Sequence, residues 1–264
     1  MNHLLKAQDG ISIAGITRIR NESDIIVSTL DYFSDFCNAG IFVYDDASTD
    51  GTPDLCDAHP AVKGVIRNTT WDKSRSGRQL AEGQYRMEAL GLARKTSNPD
   101  WIYCFDADER PEIDLAGADL KSITGIRLRL FDFYITPEDA CLSWEHRTWM
   151  GPEYRDILMM FRSKNIKVFL DREPALENST GILFIGFVRH YGKAKSVQEW
   201  ETTCHYYGNH LPEPYSSKWR NRIGKAIKHD MKSDFGSPLI KWADRFDKGF
   251  PLTGEIEARE RRHP

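Results

Sequence analysis

Along the first hundred positions, apolar runs alternate with stretches of helical period. Residues 11–17 are apolar and partly β-branched, which reads as a buried strand. Over 23–36, Ile25, Ile26, Leu30 and Phe33 share one face of a helix, and Asn21 and Ser23 offer N-cap oxygens. Gly40 breaks the chain. Residues 41–44 form a second strand running into Asp45 and Asp46, 52–58 a short helix, and 62–66 a third strand. Leu80, Tyr85, Met87, Leu90, Leu92 and Ala93 mark a helix over 78–95, which Asn98 and Pro99 stop before a fourth strand at 101–105. Strand and helix alternating in this way predict an α/β protein with a mostly parallel central sheet and helices on both faces. Ligands of such sheets bind at the carboxyl ends of the strands.

After residue 120 the pattern changes. Ile126, Leu128 and Leu130 alternate with Arg127 and Arg129, a strand with one wet face. Residues 136–156, with Pro137, Gly151 and Pro152, read as a loop. Further strands at 157–161, 167–170 and 182–188 predict an antiparallel or mixed second half, and the chain reads as helical beyond Ser196. Over 216–232, Trp219, Ile223, Ala226 and Ile227 fall on one helical face, among Lys218, Arg220, Arg222, Lys225 and Lys228. The expected division is an α/β domain over 1–212 and a basic helical extension over 213–264 packed on it.

Composition adds little to this picture except in the tail. Of 264 residues, 40% are hydrophobic and 28% charged, ordinary for a globular protein, and a net charge of -3 gives no general attraction to nucleic acid. Residues 215–264 hold twelve Lys/Arg against seven Asp/Glu, so the tail is the basic part. Cys37, Cys56, Cys104, Cys141 and Cys204 form no CxxC pair, which argues against a disulfide framework or a zinc knuckle. The longest apolar run, 182–188, is far short of the roughly 20 residues that cross a bilayer. The opening MNHLLKAQDG lacks the apolar core of a signal peptide. The expectation is a cytoplasmic protein that rests on the inner face of a membrane, if at all, through the basic helix at 216–232.

The chemistry concentrates in WIYCFDADERPE, residues 101–112. A buried strand ends abruptly in Asp106, Ala107, Asp108 and Glu109. Carboxylates are seldom buried and like charges repel, so a positive group, a divalent cation first, is expected beside them. The small Ala107 keeps the turn tight. The other reading is a solvated loop, but Asp45 and Asp46 close a neighbouring strand on the same sheet edge, and two acidic strand ends argue for one site.

These two stretches carry a resemblance. VYDDASTDGT (43–52) is similar to the nucleotide-binding segment of family 2 glycosyltransferases, which have the GT-A (nucleotide-diphospho-sugar transferase) fold, and WIYCFDADE is similar to their DxD motif. The order and spacing after TRIRNE also match, and the likeness extends more loosely through ILMMFR (157–162), FLDREPAL (169–176) and RHYG (189–192). The resemblance implies that Asp46, with Asp45 beside it, contacts the base or ribose of a nucleotide. It implies that Asp106 meets ribose or metal-bound water beside Ala107, and that Asp108 binds Mn2+ or Mg2+. A hard cation of this kind bridges carboxylates to phosphates and neutralises a diphosphate leaving group. Thr17, Arg18 and Glu22 lie where the family holds the base, or Glu22 merely caps the next helix. Arg78 and Arg86 lie where a basic residue approaches the phosphates, or are exposed helix arginines. His190 is either an extra metal ligand or a structural histidine.

An inverting transfer needs a base on the acceptor side. Glu173, Asp171 and Asp156 are the candidates, in that order. The family pattern has a histidine before that glutamate, and here Arg172 stands in its place. The donor implied is a UDP- or GDP-sugar and the acceptor a carbohydrate or lipid-linked molecule, with a nucleic acid left open. Two other functions remain open, a nucleotidyltransferase and a non-catalytic sugar- or nucleotide-binding protein. GITRIRNES lacks the repeated glycines of a nucleotidyltransferase phosphate loop, and the intact acidic pairs argue against loss of catalysis.

Overall fold

The structure is a computed structural model and describes residues 5–7, 9–72, 74–177 and 181–245, without the side chains of Lys6 and 75–81. Its elements in chain order are β1 (Leu5–Lys6), β2 (Ile13–Ile19), α1 (Ile26–Ser34), β3 (Ile41–Asp46), α2 (Thr52–Ala58), β4 (Val62–Asn68), α3 (Arg75–Ser97), β5 (Trp101–Cys104), β6 (Glu109–Asp114), β7 (Gly125–Phe133), β8 (Trp149–Arg162), β9 (Ile166–Phe169), β10 (Pro174–Leu176), β11 (Ile182–His190), α4 (Val197–His210), α5 (Tyr215–Arg220) and β12 (Ile240–Lys241). The main sheet runs β1-β6-β11-β7-β8-β5-β2-β3-β4, with β12 added beside β8, while β9 and β10 form a separate antiparallel pair.

The first half is the expected parallel sheet. β2 pairs in parallel with both β3 and β5, and β4 continues in parallel from β3. The chain thus moves outward from β2 to β4, then returns through α3 to place β5 on the other side of β2. That reversal opens a crevice at the carboxyl ends of β2 and β5, where open α/β sheets take their ligands. Helix α1 buries Ile26, Leu30 and Phe33 on one face of the sheet, with Phe33 stacked on Phe105 at 4.0 Å. Helix α3 lays Ala89, Leu90 and Ala93 on the other face, against Ile16, Phe42 and Ile102.

Four expectations are corrected. Residues 136–156 are not all loop, because β8 begins at Trp149 and runs 14 residues. Gly151 and Pro152 broke the pattern but sit beside a register shift in the β7–β8 ladder between Phe131 and Phe133, where a proline is tolerated. The face of β7 bearing Arg127 and Arg129 is not wet. Arg129 is buried, its guanidinium lying over Tyr154 and paired with Asp156, and Arg127 pairs with Glu173. Asn21 and Ser23 give α1 no side-chain cap. The Asn21 side chain instead accepts from the Thr49 amide, and the Ser23 amide donates to Asp50.

The helix expected over 216–232 ends at Arg220. Gly224 turns left-handed at φ 74, and the chain then bridges from Ile227 to Ile135. The apolar positions nevertheless find the core, since Trp219, Ile223 and Ala226 pack on Trp200 and Cys204. The basic face is divided: Arg222 and Lys228 point inward to the buried Asp234. The five cysteines are free, and among the described residues no helix is long and apolar enough to cross a membrane. Residues 246–264 of the expected extension lie outside the described part.

Candidate functional site

The crevice between β2 and β5 collects charge from both halves of the sheet. At its left wall, Arg18, next to last in β2, reaches Asp46 at 2.6 Å and Glu82 of α3 at 3.4 Å. Asp46 also accepts from Asn68 at 3.1 Å. Arg20 donates to the Asp46 carbonyl and lies 3.6 Å over the Trp71 ring, which stacks in turn on Tyr206 of α4. The loop at 47–52 is pinned to the end of β2. The Glu22 amide donates to Thr52, the Asn21 amide to Ser48, and the Ser48 amide to Asp45. Thr17 Oγ1 and Asp45 Oδ1 are buried with no hydrogen-bond partner, and burial raises the Asp45 pKa. Unsatisfied buried oxygens of this kind carry a desolvation cost that a ligand donor would relieve.

At the right wall, the three carboxylates after β5 are treated unequally. Asp106 is taken by two arginines, Arg86 at 3.0 Å and Arg172 at 2.7 Å. Burial alone would raise its pKa, but Arg172 and Arg86 bring it down to about 2. Glu109 is fully buried and accepts from Arg172 Nη2 at 2.5 and 2.6 Å and from the Asp106 amide at 3.0 Å. Ala107 is buried, its carbonyl held by Thr29 Oγ1 at 2.5 Å, which fixes the turn. Two guanidiniums therefore answer two carboxylates, and Asp108 is the third.

Asp108 faces His190. Nε2 of His190 lies 3.7 Å from Asp108 Oδ1, while Nδ1 is 2.6 Å from Asp132 Oδ1. Burial works to lower the His190 pKa, yet Asp108 and the Asp132 hydrogen bond outweigh it and raise it. Asp132 is held far below the carboxylate range, against burial, by His190 and Lys193. Gly192 leaves the space between the pair. A Cβ there would stand 2.9 Å from Asp108 Oδ2 and 2.9 Å from His190 Nε2, so any side chain would fill the gap. Lys195 closes the far side by pairing with Glu22 at 2.9 Å and Glu199 at 2.9 Å. Burial pushes Glu22 up to about 7, against Lys195 and with the help of the Asp108 charge.

The residues expected from sequence thus divide. Arg18, Asp45 and Asp46 gather at one wall; Arg86, Asp106, Asp108 and His190 at the other; Thr17 lies buried between them and Glu22 faces Lys195. The Arg78 side chain lies outside the described residues. Glu173 is held by Arg127 through bonds of 2.6 and 3.2 Å, Asp171 accepts from the Glu173 amide at 2.8 Å, and Asp156 lies 3.5 Å from Arg129. Burial raises the Asp156 pKa despite Arg129 and Arg127. Sequence reasoning missed Arg20, Asp132, Lys193, Lys195 and Gly192, and saw Arg172 only as a departure from a pattern. The run of lysines after His190 was the available signal.

The donor set suits a divalent cation: a hard carboxylate and an imidazole with its second nitrogen engaged. Among the described residues no group of three or more His, Cys, Asp or Glu is arranged to hold a metal ion, so further ligands would come from substrate and water. That is the usual habit of Mg2+ beside phosphates.

No family model matches this chain. The uncharacterized protein Rv3786c of Mycobacterium tuberculosis and Mb3815c of Mycobacterium bovis are each 30% identical over 154 residues, 55% of this chain and 33% of theirs. The chain spans about a third of the length of these curated relatives. Among solved structures, mannosyl-3-phosphoglycerate synthase from Rubrobacter xylanophilus is similar over 50% of this chain and 42% of its own, at 23% identity and a TM-score of 0.32. Glucosyl-3-phosphoglycerate synthase from Mycobacterium tuberculosis in complex with phosphoglyceric acid is similar over 62% of this chain and 61% of its own, at 15% identity and a TM-score of 0.33. The same enzyme with Mn2+ and UDP-glucose matches at 19% identity over 53% of this chain and 49% of its own, with a TM-score of 0.30.

Proposed function

We propose that the chain is a GT-A glycosyltransferase domain that moves a sugar from a nucleotide-diphosphate donor, UDP- or GDP-linked, to a carbohydrate or lipid-linked acceptor. The observation that carries this is the charge balance at the end of β5. Arg86 and Arg172 neutralise Asp106 and Glu109, and Asp108 is left facing His190 across the space above Gly192. Mn2+ or Mg2+ held by Asp108 and His190 would supply the positive charge that a departing diphosphate needs. Asp46 and the unpartnered oxygens of Thr17 and Asp45 suit the hydroxyls of a ribose or the donors of a base. Arg18 stands where it can exchange Asp46 for the ligand, and Lys195 adds positive charge on the phosphate side.

The inverting course rests on the resemblance of the two motifs and calls for a base among Glu173, Asp171 and Asp156. Of these, Asp156 has a pKa that burial raises against its Arg129 partner, whereas Glu173 is committed to Arg127. A β-linked product from an α-linked donor, read by NMR of the released glycoside, is the expected outcome, and retention would remove the single-displacement mechanism.

The central test is Asp108→Asn. Wild type should gain thermal stability from a nucleoside diphosphate only with Mn2+ or Mg2+ present, and should hydrolyse or transfer a sugar nucleotide. The variant should fold and melt as wild type does alone, yet lose the metal-dependent gain and the turnover. Turnover that survives thorough chelation would sink the metal part of the reading.

A further inference from the structure

We propose that Asp132 is the positioning residue for His190, and that Lys193 and the buried Asp234 lock it in place, so that the chain at 222–234 sets the affinity of the Asp108–His190 site for its cation. This rests on the metal reading above. His190 lies opposite Glu109 in one ladder and Asp132 in the other, so the three side chains share a row across β6, β11 and β7. The carboxylate of Asp132 can only accept, so at 2.6 Å it requires the proton on Nδ1. The neutral ring then presents its lone pair on Nε2, the nitrogen nearer Asp108.

An aspartate beside a single histidine could swing away, but Asp132 is held from behind. Lys193 Nζ donates to its Oδ2 at 2.8 Å and reaches Asp234 at 3.0 Å and the Tyr134 hydroxyl at 3.2 Å. Asp234, whose side chain is only 2% exposed, also takes Lys228 at 2.6 Å and Arg222 at 2.7 Å. The Asp234 amide closes the ring on the Tyr134 hydroxyl. Three cations around one buried carboxylate exceed what Asp234 needs for its own neutrality, and Lys193 is the one that spans to Asp132. Partners of this kind behind a metal-binding histidine typically contribute 10–100-fold to affinity.

The experiment uses Mn2+ with a nucleoside diphosphate, followed by electron paramagnetic resonance, and 15N-histidine NMR of the metal-free protein. At a pH high enough to leave one proton on the ring, wild type should show His190 as the Nδ1–H tautomer. Asp132→Asn, whose amide can donate to Nδ1, should move the proton to Nε2 and weaken Mn2+ binding by roughly 10–100-fold. Asp132→Asn/Lys193→Met, which leaves no stranded lysine, should do the same if the single variant folds poorly. Lys193→Met and Asp234→Asn should each weaken binding less, with the tautomer signal broadened. Arg155→Gln, which removes the exposed outer partner of Asp132, should leave both readouts unchanged. A folded Asp132 variant with wild-type affinity overturns the positioning role alone. Wild type that binds no Mn2+ with any nucleoside diphosphate overturns the metal reading and this inference with it.

Discussion

The acidic end of β3 and the acidic turn after β5 sit on the same sheet edge, yet they are neutralised from different parts of the chain. Asp45 and Asp46 draw Ser48, Arg18 and Asn68, all within the first parallel layer. Asp106, Asp108 and Glu109 draw Arg86 from α3, but also Arg172 and His190 from the mixed second half. The first turn is a local structure that leaves Asp45 Oδ1 buried without a hydrogen-bond partner. The second is a junction, and its charges are balanced only when the far half of the sheet has docked.

The largest effect should come from Arg172→Met. It strands Glu109, fully buried, together with one oxygen of Asp106. Breaking a buried ion pair from one side costs on the order of 3–5 kcal/mol, and urea unfolding should show a loss of that size. Arg18→Met tests the other turn. Asp46 keeps its Asn68 hydrogen bond, so the loss should be that of one charge-assisted hydrogen bond, about 1.5–3 kcal/mol. Equal losses at the two arginines would erase the distinction between local and junction turns.

Acid should produce the smallest of the three effects and act through the junction. The Asp106 pKa is depressed from 3.8 to about 2, so its share of stability is in place above pH 4 and is lost as pH falls through 2. That share is roughly 2 kcal/mol, and it should shrink in the acid unfolding curve of Arg172→Met, where Arg86 alone still holds Asp106. An identical acid limb in wild type and variant would detach Asp106 from Arg172.

The same contrast explains what was legible in the sequence. The turn after β3 is short-range, so VYDDASTDGT and the alternating periods before it announced strand, loop and helix together. The motif DAD was equally plain, but its partners lie 66 and 63 residues away in Arg172. Nothing in the sequence around Arg172 says which carboxylate it will meet. Asp132 was hidden for a related reason: it lies near the end of a strand whose alternation reports only which face is apolar, and only the ladder sets it opposite His190. The helix misread over 216–232 had the right apolar spacing. A left-handed Gly224 and the bridge from Ile227 to Ile135 redirected it, and a helical pattern cannot register either.

The ladder that sets His190 opposite Glu109 also bears on how readily a ligand is captured. The Tyr191 amide donates to the Asp108 carbonyl at 2.9 Å, so the main chain on either side of the crevice is stitched within a residue of both Asp108 and His190. Collecting two side chains from separate loops would cost a ligand the ordering of each. Here that ordering is settled when β6 and β11 zip together during folding. A slip of one residue in that pairing would turn His190 to the opposite face of the sheet and part it from Asp108. Capture should therefore be governed by the fold's cooperativity, all or none, with little room for a loosened half-formed pocket.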